Sequence, residues 1–492
     1  MSSLARATAV MSLGTVLSRV TGLARITAIT AALGIVESRR LPDTYNLGNV
    51  APNILYELLL GGILTSVFVP VFVELLEKEG RERAWRVASA MINLSTVFLL
   101  AMTTLGIIAA PLIAKFYSVR AGNEAALQQE VLTFLLRLFL PQIIFYSLTA
   151  LTAGLLNAHK RFGPPMYTPV LNNLAVIAVF LAFRQAYDRV TLETVTTPQL
   201  LLIGLGTTAG VALMALAQIP FLRGLGSYSF TFSLRHPAIK KLAGLSVFVV
   251  GYVVANQIGY LIVQRLANAQ NGGFSAYVTA FTFFLLPHGL FAVSVFTALL
   301  PGMSEMAVNN RWDDFRARLS TGVRSTLFLI LPAAVGYFVL GEAIVKLLLQ
   351  YGIVTERSTT LVASVLRFFV LGLVPFSIFQ LFLRAFYALQ DTRTPFLINC
   401  VAVAVNIAIN VAMFGVLGVQ GLAAGHAVAY LFGAVVQGYV LSRRIGGLDS
   451  KRMSAAAMKI AAAAAGMGVV VWGAAAVVGN IVGDTLVGRI VS

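Results

Sequence analysis

Arg19 and Arg25 stand six residues apart in an otherwise apolar stretch from about Ala7 to Gly34. A guanidinium within a bilayer costs several kcal/mol unless it meets a partner or water. Both arginines therefore read as site residues. Six helical residues give about 9 Å of rise and roughly 120° of rotation, so both face one cavity only if Gly22, between them, lets the helix bend. Ser18, seven residues before Arg25, shares its face. Guanidinium forks bind phosphate and pyrophosphate oxygens bidentately, which points to an anionic ligand. The competing readings are a structural ion pair between Arg25 and Glu57, or snorkelling of one arginine to an interface. Four further arginines lie in apolar stretches. Arg137 and Arg367, near helix ends, read as snorkelling residues. Arg265 and Arg384, with Asn256, Gln257, Gln264 and Gln380 nearby, either line the same cavity or hydrogen-bond between helices.

Little else offers chemistry. The sequence has no GxxxxGK[ST] loop, and His159, His236, His288 and His426 have no metal-ligand spacing. Nearly all carboxylates fall in loops, with Glu57 alone well inside an apolar stretch. No base, nucleophile or metal constellation supports an enzyme, and no cofactor is expected. His288, beside Pro287, reads as a hydrogen-bonded packing residue.

The elements that must position these side chains are membrane helices. Of 492 residues 58% are hydrophobic and 11% charged, far from the quarter charged that is usual in soluble chains. Apolar runs place about thirteen spans near 7–34, 47–76, 87–116, 131–157, 165–184, 198–222, 239–267, 275–301, 320–350, 360–389, 395–417, 420–442 and 453–479. The first run is too long for a signal peptide and is kept as a mature helix. The 36 Lys+Arg divide into 21 on the N-terminal side, 9 opposite and six within spans. That asymmetry predicts a cytoplasmic N-terminus. It also accounts for the net charge of +17 without nucleic acid, because the basic residues are scattered through short loops. The single cysteine, Cys400, cannot form an intrachain disulfide, so helix packing alone must hold the fold.

The chain also repeats itself. LRLFLPQIIFYSLTALTAGLLNAHKRFGPP (Leu136 to Pro165) matches LRFFVLGLVPFSIFQLFLRAFYALQDTRTP (Leu366 to Pro395), placing Arg137 on Arg367 at a shift of 230. Pro52, Pro70 and Glu74 match Pro287, Pro301 and Glu305, and Lys115 matches Lys346. Six helices per repeat is an even number, so the expected fold is all-α and polytopic, with two parallel six-helix repeats around a central cavity. The expected lobes are 1–224 and 225–446, with 447–492 an additional helix and tail. Pro52, Pro141, Pro287 and Pro375 are expected to kink their helices, with Gly22, Pro52 and Pro287 as hinges.

The motifs SRVTGLAR (Ser18 to Arg25), APN (Ala51 to Asn53), GGILTSVFVP (Gly61 to Pro70) and ALQDTRTP (Ala388 to Pro395), with Asp43 before span two, carry a resemblance over nearly the whole chain. It resembles the MurJ/MviN family, the lipid II flippases of the polysaccharide- and drug-exporter superfamily. The resemblance implies an anionic cargo, undecaprenyl-pyrophosphate bearing a peptidoglycan precursor, moved from the inner to the outer leaflet of the bacterial cell membrane. Ser18, Arg19, Arg25, Asn53 and Arg265 become the candidate substrate-binding residues, with Arg19 and Arg25 on the pyrophosphate. Asp43 and Arg39 become the candidate gate, through a salt bridge on the outer side. Membrane lipids and peptidoglycan-assembly proteins are the expected partners, with no nucleic acid. The chain departs from the family at Tyr56 and Glu57, where many members carry paired arginines, and at Thr282, where they carry another. A thinner anion site is expected. The family's usual fourteenth span has no counterpart among the thirteen, so an accessory groove formed by the last two helices is expected to be incomplete. The alternatives are an exporter of another lipid-linked oligosaccharide or of small drug-like cations.

Overall fold

The computed structural model describes residues 3–57, 72, 75, 76, 78–118, 123–159, 161–232 and 237–482, without the side chains of 3–12, 237–247, 249, 301 and 478–482. The 61–70 run, Pro70, Glu74 and Lys160 lie outside the described residues. Helices account for the architecture, and no strand occurs among the described residues. Ten helical segments are long and apolar enough to cross a bilayer, or eleven when the bent pair Glu356–Leu371 and Leu373–Ala388 is taken as one. Each overlaps one of the expected spans. The expected span at 47–76 runs over residues outside the description, and the one at 239–267 falls on the helix Pro237–Ala267, whose side chains are described only in part.

The residue contacts divide the chain into two compact units, Met1–Gln257 and Ile258–Ser492. In the first, α1 (Ser3–Leu33) packs along α6 (Gly163–Ala186), and α6 along α7 (Thr197–Leu216). Alongside them, α2 (Leu41–Tyr56) packs on α4 (Asn123–Phe139) and α5 (Gln142–Ala158), while α3 (Arg81–Tyr117) also lies against α4 and α5. Leu41, Tyr45, Leu135, Phe139, Phe180, Phe183 and Ile203 form a buried apolar core among α2, α4, α6 and α7. Helix association in lipid depends on close packing rather than on hydrophobic driving force, and Gly210 illustrates it. A Cβ there would lie 2.7 Å from Asn172 Oδ1, so the missing side chain lets α7 approach α6.

Helix α8 (Pro237–Ala267) links the units. The second unit contains α9 (Gly273–Pro287), a π-turn (His288–Ala292), α10 (Val293–Val308), α11 (Trp312–Leu349), α12 (Glu356–Leu371), α13 (Leu373–Ala388), α14 (Arg393–Leu417), α15 (Val419–Arg444) and α16 (Ser450–Val482). Here α14 packs on α15, α13 on α15, and α16 on α11.

Two expectations about helix boundaries need correction. Helix α2 begins at Leu41, not near residue 47, because Pro42 at its first turn is a helix-starting residue that the apolar pattern does not register. The span expected at 360–389 bends by 47° at Gly372, before Pro375. A proline clashes with the carbonyl four residues earlier, here Leu371, so the disruption falls on that side of the ring. In the first unit the break falls at Leu140 and Pro141.

Candidate functional site

Helix α1 runs unbroken through Gly22 and presents Arg25 to the interior of the first unit. There Arg25 lines a cavity with Tyr45 and Asn49 of α2, Tyr146 of α5, Asn172 of α6 and Thr207 of α7. The Arg25 Nε is buried and makes no hydrogen bond. Tyr45 and Thr207 are satisfied by each other, their oxygens 2.9 Å apart. Asn173 Nδ2 anchors α1 from α6, donating to the Ser18 carbonyl at 3.2 Å and to Thr21 Oγ1 at 3.0 Å. The cavity is about 20 Å³, room for a water molecule and far too small for a pyrophosphate. Arg25 is thus held in a small chamber whose lining combines these polar residues with Ile29, Val176 and Val211.

The expected pairing of Arg19 with Arg25 in one cavity does not occur. Arg19 is exposed and does not line the Arg25 chamber. With α1 continuous at Gly22, the rotation between positions 19 and 25 is retained. Ser18 contributes its carbonyl, not its hydroxyl, to the α1–α6 contact. Asn53 is exposed on α2, and Pro52 is buried beside it. Arg25 and Glu57 form no ion pair, so the structural pairing weighed above is not the arrangement here. The polar residues that do surround Arg25 come one or two each from four other helices, which no local spacing links.

The candidate gate lies between α1 and α2. Arg39 and Arg40 adopt φ of 37° and 62°, the left-handed region that non-glycine residues rarely enter. Two ion pairs hold them there. Arg39 Nη1 reaches both Glu193 carboxylate oxygens at 3.0 and 2.9 Å, in an exposed pair. Arg40, only 4% exposed, donates from Nε to Glu124 at 2.9 Å. Asp43 is fully buried in the first turn of α2, where the helix dipole favours an acid. It is no solvated loop residue.

In the second unit, Arg265 is exposed on α8. Arg384 is exposed and lies 6.0 Å from the ring centroid of Tyr387, its guanidinium over the face. Pro287 ends α9 and leads into the π-turn, so a matched proline coincides with irregular backbone. His288 is a packing residue as expected, its Nδ1 3.0 Å from Ser377 Oγ and its ring against Phe296 and Phe376. Arg367 pairs with Glu342 at 3.0 Å, and Lys346 reaches Glu342 at 3.4 Å and Glu356 at 3.0 Å. In the ALQDTRTP loop, Asp391 accepts from the Thr394 N–H at 3.0 Å and pairs with Arg444. Burial pushes the Asp391 carboxyl up, but the Thr394 hydrogen bonds and the Arg444 guanidinium outweigh it and hold the group below its ordinary range.

The family model described as lipid II flippase MurJ matches residues 35–489. The chain is similar to a probable lipid II flippase MurJ of Rhizobium tropici, 29% identical over 428 residues, covering 87% of this chain and 79% of that protein. Its fold is similar to the lipid II flippase MurJ solved in an inward closed conformation, at a TM-score of 0.76 and 24% identity, over 94% of this chain and 92% of that one. It is also similar to the inward-facing multidrug resistance MATE family transporter of the MOP superfamily, at a TM-score of 0.69 and 15% identity, over 86% and 94% of the two chains.

Proposed function

Because the chain belongs to the lipid II flippase MurJ family, we propose that it moves undecaprenyl-pyrophosphate-linked peptidoglycan precursor from the inner to the outer leaflet by alternating access. It is a multi-pass membrane transporter of the bacterial inner membrane and serves cell-wall biosynthesis. The observation that carries the cargo assignment is Arg25, a guanidinium held in a polar chamber with a buried Nε that has no hydrogen-bond partner. A cationic chamber suits a pyrophosphate and repels a cationic drug. Another lipid-linked oligosaccharide carrying the same phosphate chemistry is the remaining alternative.

Opening of the chamber admits the pyrophosphate to Arg25, with Ser18, Arg19 and Asn53 as further contacts; Arg265 is a separate candidate contact on the second unit. Asp43 and the ion-paired Arg39 act as the gate, and Gly22, Pro52 and Pro287 supply the bends. The N-terminus is cytoplasmic, and the protein acts as a transporter without catalysing a reaction. Moving one negative charge outward across a membrane whose cytoplasm is negative gains about 2.3 kcal/mol per 100 mV. The potential can therefore drive the cargo without nucleotide hydrolysis. The reading is tested by expressing the chain in bacteria depleted of their own lipid II flippase. Restored growth and cell shape are expected, lost in Arg25→Ala at equal membrane abundance; failure of the well-expressed wild type to complement opposes the cargo assignment.

A further inference from the structure

A second cavity of the first unit, about 350 Å³, lies where α3 meets α4 and is lined by Pro111, Gln129, Glu130, Thr133, Phe134 and Arg137. Its volume is within the range of small-ligand clefts. Arg137 and Glu130 are both exposed, and neither has an ion-pair partner among the described residues. We propose that this cavity holds the headgroup of a zwitterionic phospholipid bearing a primary amine, with its phosphate on Arg137 and its ammonium on Glu130.

Three observations carry the assignment. The first is charge: one cation and one anion line a single cavity without neutralising each other, which fits a ligand carrying both signs. The second is order. Residues 130 and 137 are two helical turns apart on one face of α4, about 10.5 Å along its axis. With the expected span beginning near residue 131, Glu130 falls at its water-side end and Arg137 deeper within it. A phospholipid in a leaflet has the same order, ammonium outermost and phosphate below it, and Phe134 and Pro111 are the apolar residues of the lining.

The third observation is the contrast with the matching helices of the second unit. The match of Lys115 with Lys346, at a shift of 231, places Pro111 on Glu342. Glu342 is the carboxylate that neutralises both Arg367 and Lys346 in the second unit. With proline in its place, the arginine of the first unit faces a cavity instead of an internal acid, and Glu130 corresponds to Thr360, which carries no charge. The internal neutralisation of one repeat is left to a ligand in the other.

The test is native mass spectrometry of the full-length protein, delipidated in detergent and titrated with phosphatidylethanolamine, phosphatidylglycerol or phosphatidylcholine. Binding of one phosphatidylethanolamine is expected, weakened about tenfold or more in Arg137→Gln and in Glu130→Gln, since each removes a charge-assisted hydrogen bond. Phosphatidylcholine, which lacks ammonium N–H donors, and phosphatidylglycerol, which lacks the cation, should bind more weakly to the wild type. Pro111→Glu restores the acid found in the second unit and is expected to abolish the selective binding. An unchanged thermal unfolding midpoint of each variant in lipid-free detergent keeps misfolding out of the comparison. Equal retention of the three lipids, or equal binding of phosphatidylethanolamine by wild type and the Glu130/Arg137 double variant, overturns the proposal. Binding of soluble phosphoethanolamine as tight as that of phosphatidylethanolamine overturns the lipid as ligand.

Discussion

At Arg25 a buried donor goes without a hydrogen bond, at a cost of about 1–3 kcal/mol if uncompensated. Such a cost is consistent with a group kept for a ligand. Arg25→Lys keeps the charge but loses the bidentate fork, so it should impair binding of a pyrophosphate lipid nearly as much as Arg25→Ala, by about tenfold or more. Full rescue by lysine would mean that only the field matters. Arg19→Ala should have the smaller effect, because Arg19 lies outside the chamber. Equilibrium binding of a labelled precursor, with folded protein quantified alongside, separates these outcomes. At Asp391 the prediction concerns pH. Its pKa is lowered in the folded protein, so its contribution to stability is complete above the ordinary carboxylate pKa and is lost as pH falls through the folded value. Asp391→Asn should therefore narrow the stability difference between neutral and acidic pH, as read from thermal unfolding in detergent; an unchanged pH profile would contradict it. Arg25 was legible in the sequence as a charge in an apolar run. Tyr45, Asn49, Tyr146, Asn172 and Thr207 were not, because isolated polar residues on four helices share no spacing and converge only in three dimensions.

At the scale of elements, apolar runs marked the helices. Of the four expected prolines, Pro141 lies at a helix break and Pro375 beside a bend, while Pro52 lies inside a continuous helix. Position was less legible: the bend near Pro375 falls at Gly372, and α2 starts at Pro42's turn. The α1–α2 connection was legible only as charged, since Glu124 and Glu193 are 84 and 154 residues from their arginines. Its left-handed arginines carry roughly 1–2 kcal/mol of strain each, offset by those pairs. Arg40 is the stronger anchor because it is buried, whereas the Arg39 pair is exposed and worth little. Arg40→Ala should lower stability by about 1–3 kcal/mol. In a double-mutant cycle with Glu124→Ala the losses should be strongly non-additive, and simple additivity would show that the pair does not couple α2 to α4. Asp43→Ala should shift the population of open states, read as altered reactivity of cysteines placed around the α1–α2 connection. Unchanged reactivity would leave Asp43 as a helix-start acid only.

For the whole molecule, low charge and long apolar runs were sufficient for the class, and the matched segments suggested the repeats. The topology remains a proposal: cysteines introduced at Arg443 and Glu193 should label from the cytoplasmic and outer sides respectively, and the reverse pattern would overturn the positive-inside assignment. Transport itself is tested most directly by reconstituting the purified chain in vesicles with a fluorescent undecaprenyl-pyrophosphate precursor and following its transfer between leaflets. The wild-type protein should accelerate transfer well above protein-free vesicles, more so when the potential favours outward movement of negative charge, and Arg25→Ala should abolish the acceleration while remaining folded. Transfer by the wild type no faster than in protein-free vesicles, or equal transfer by folded Arg25→Ala, would contradict the account.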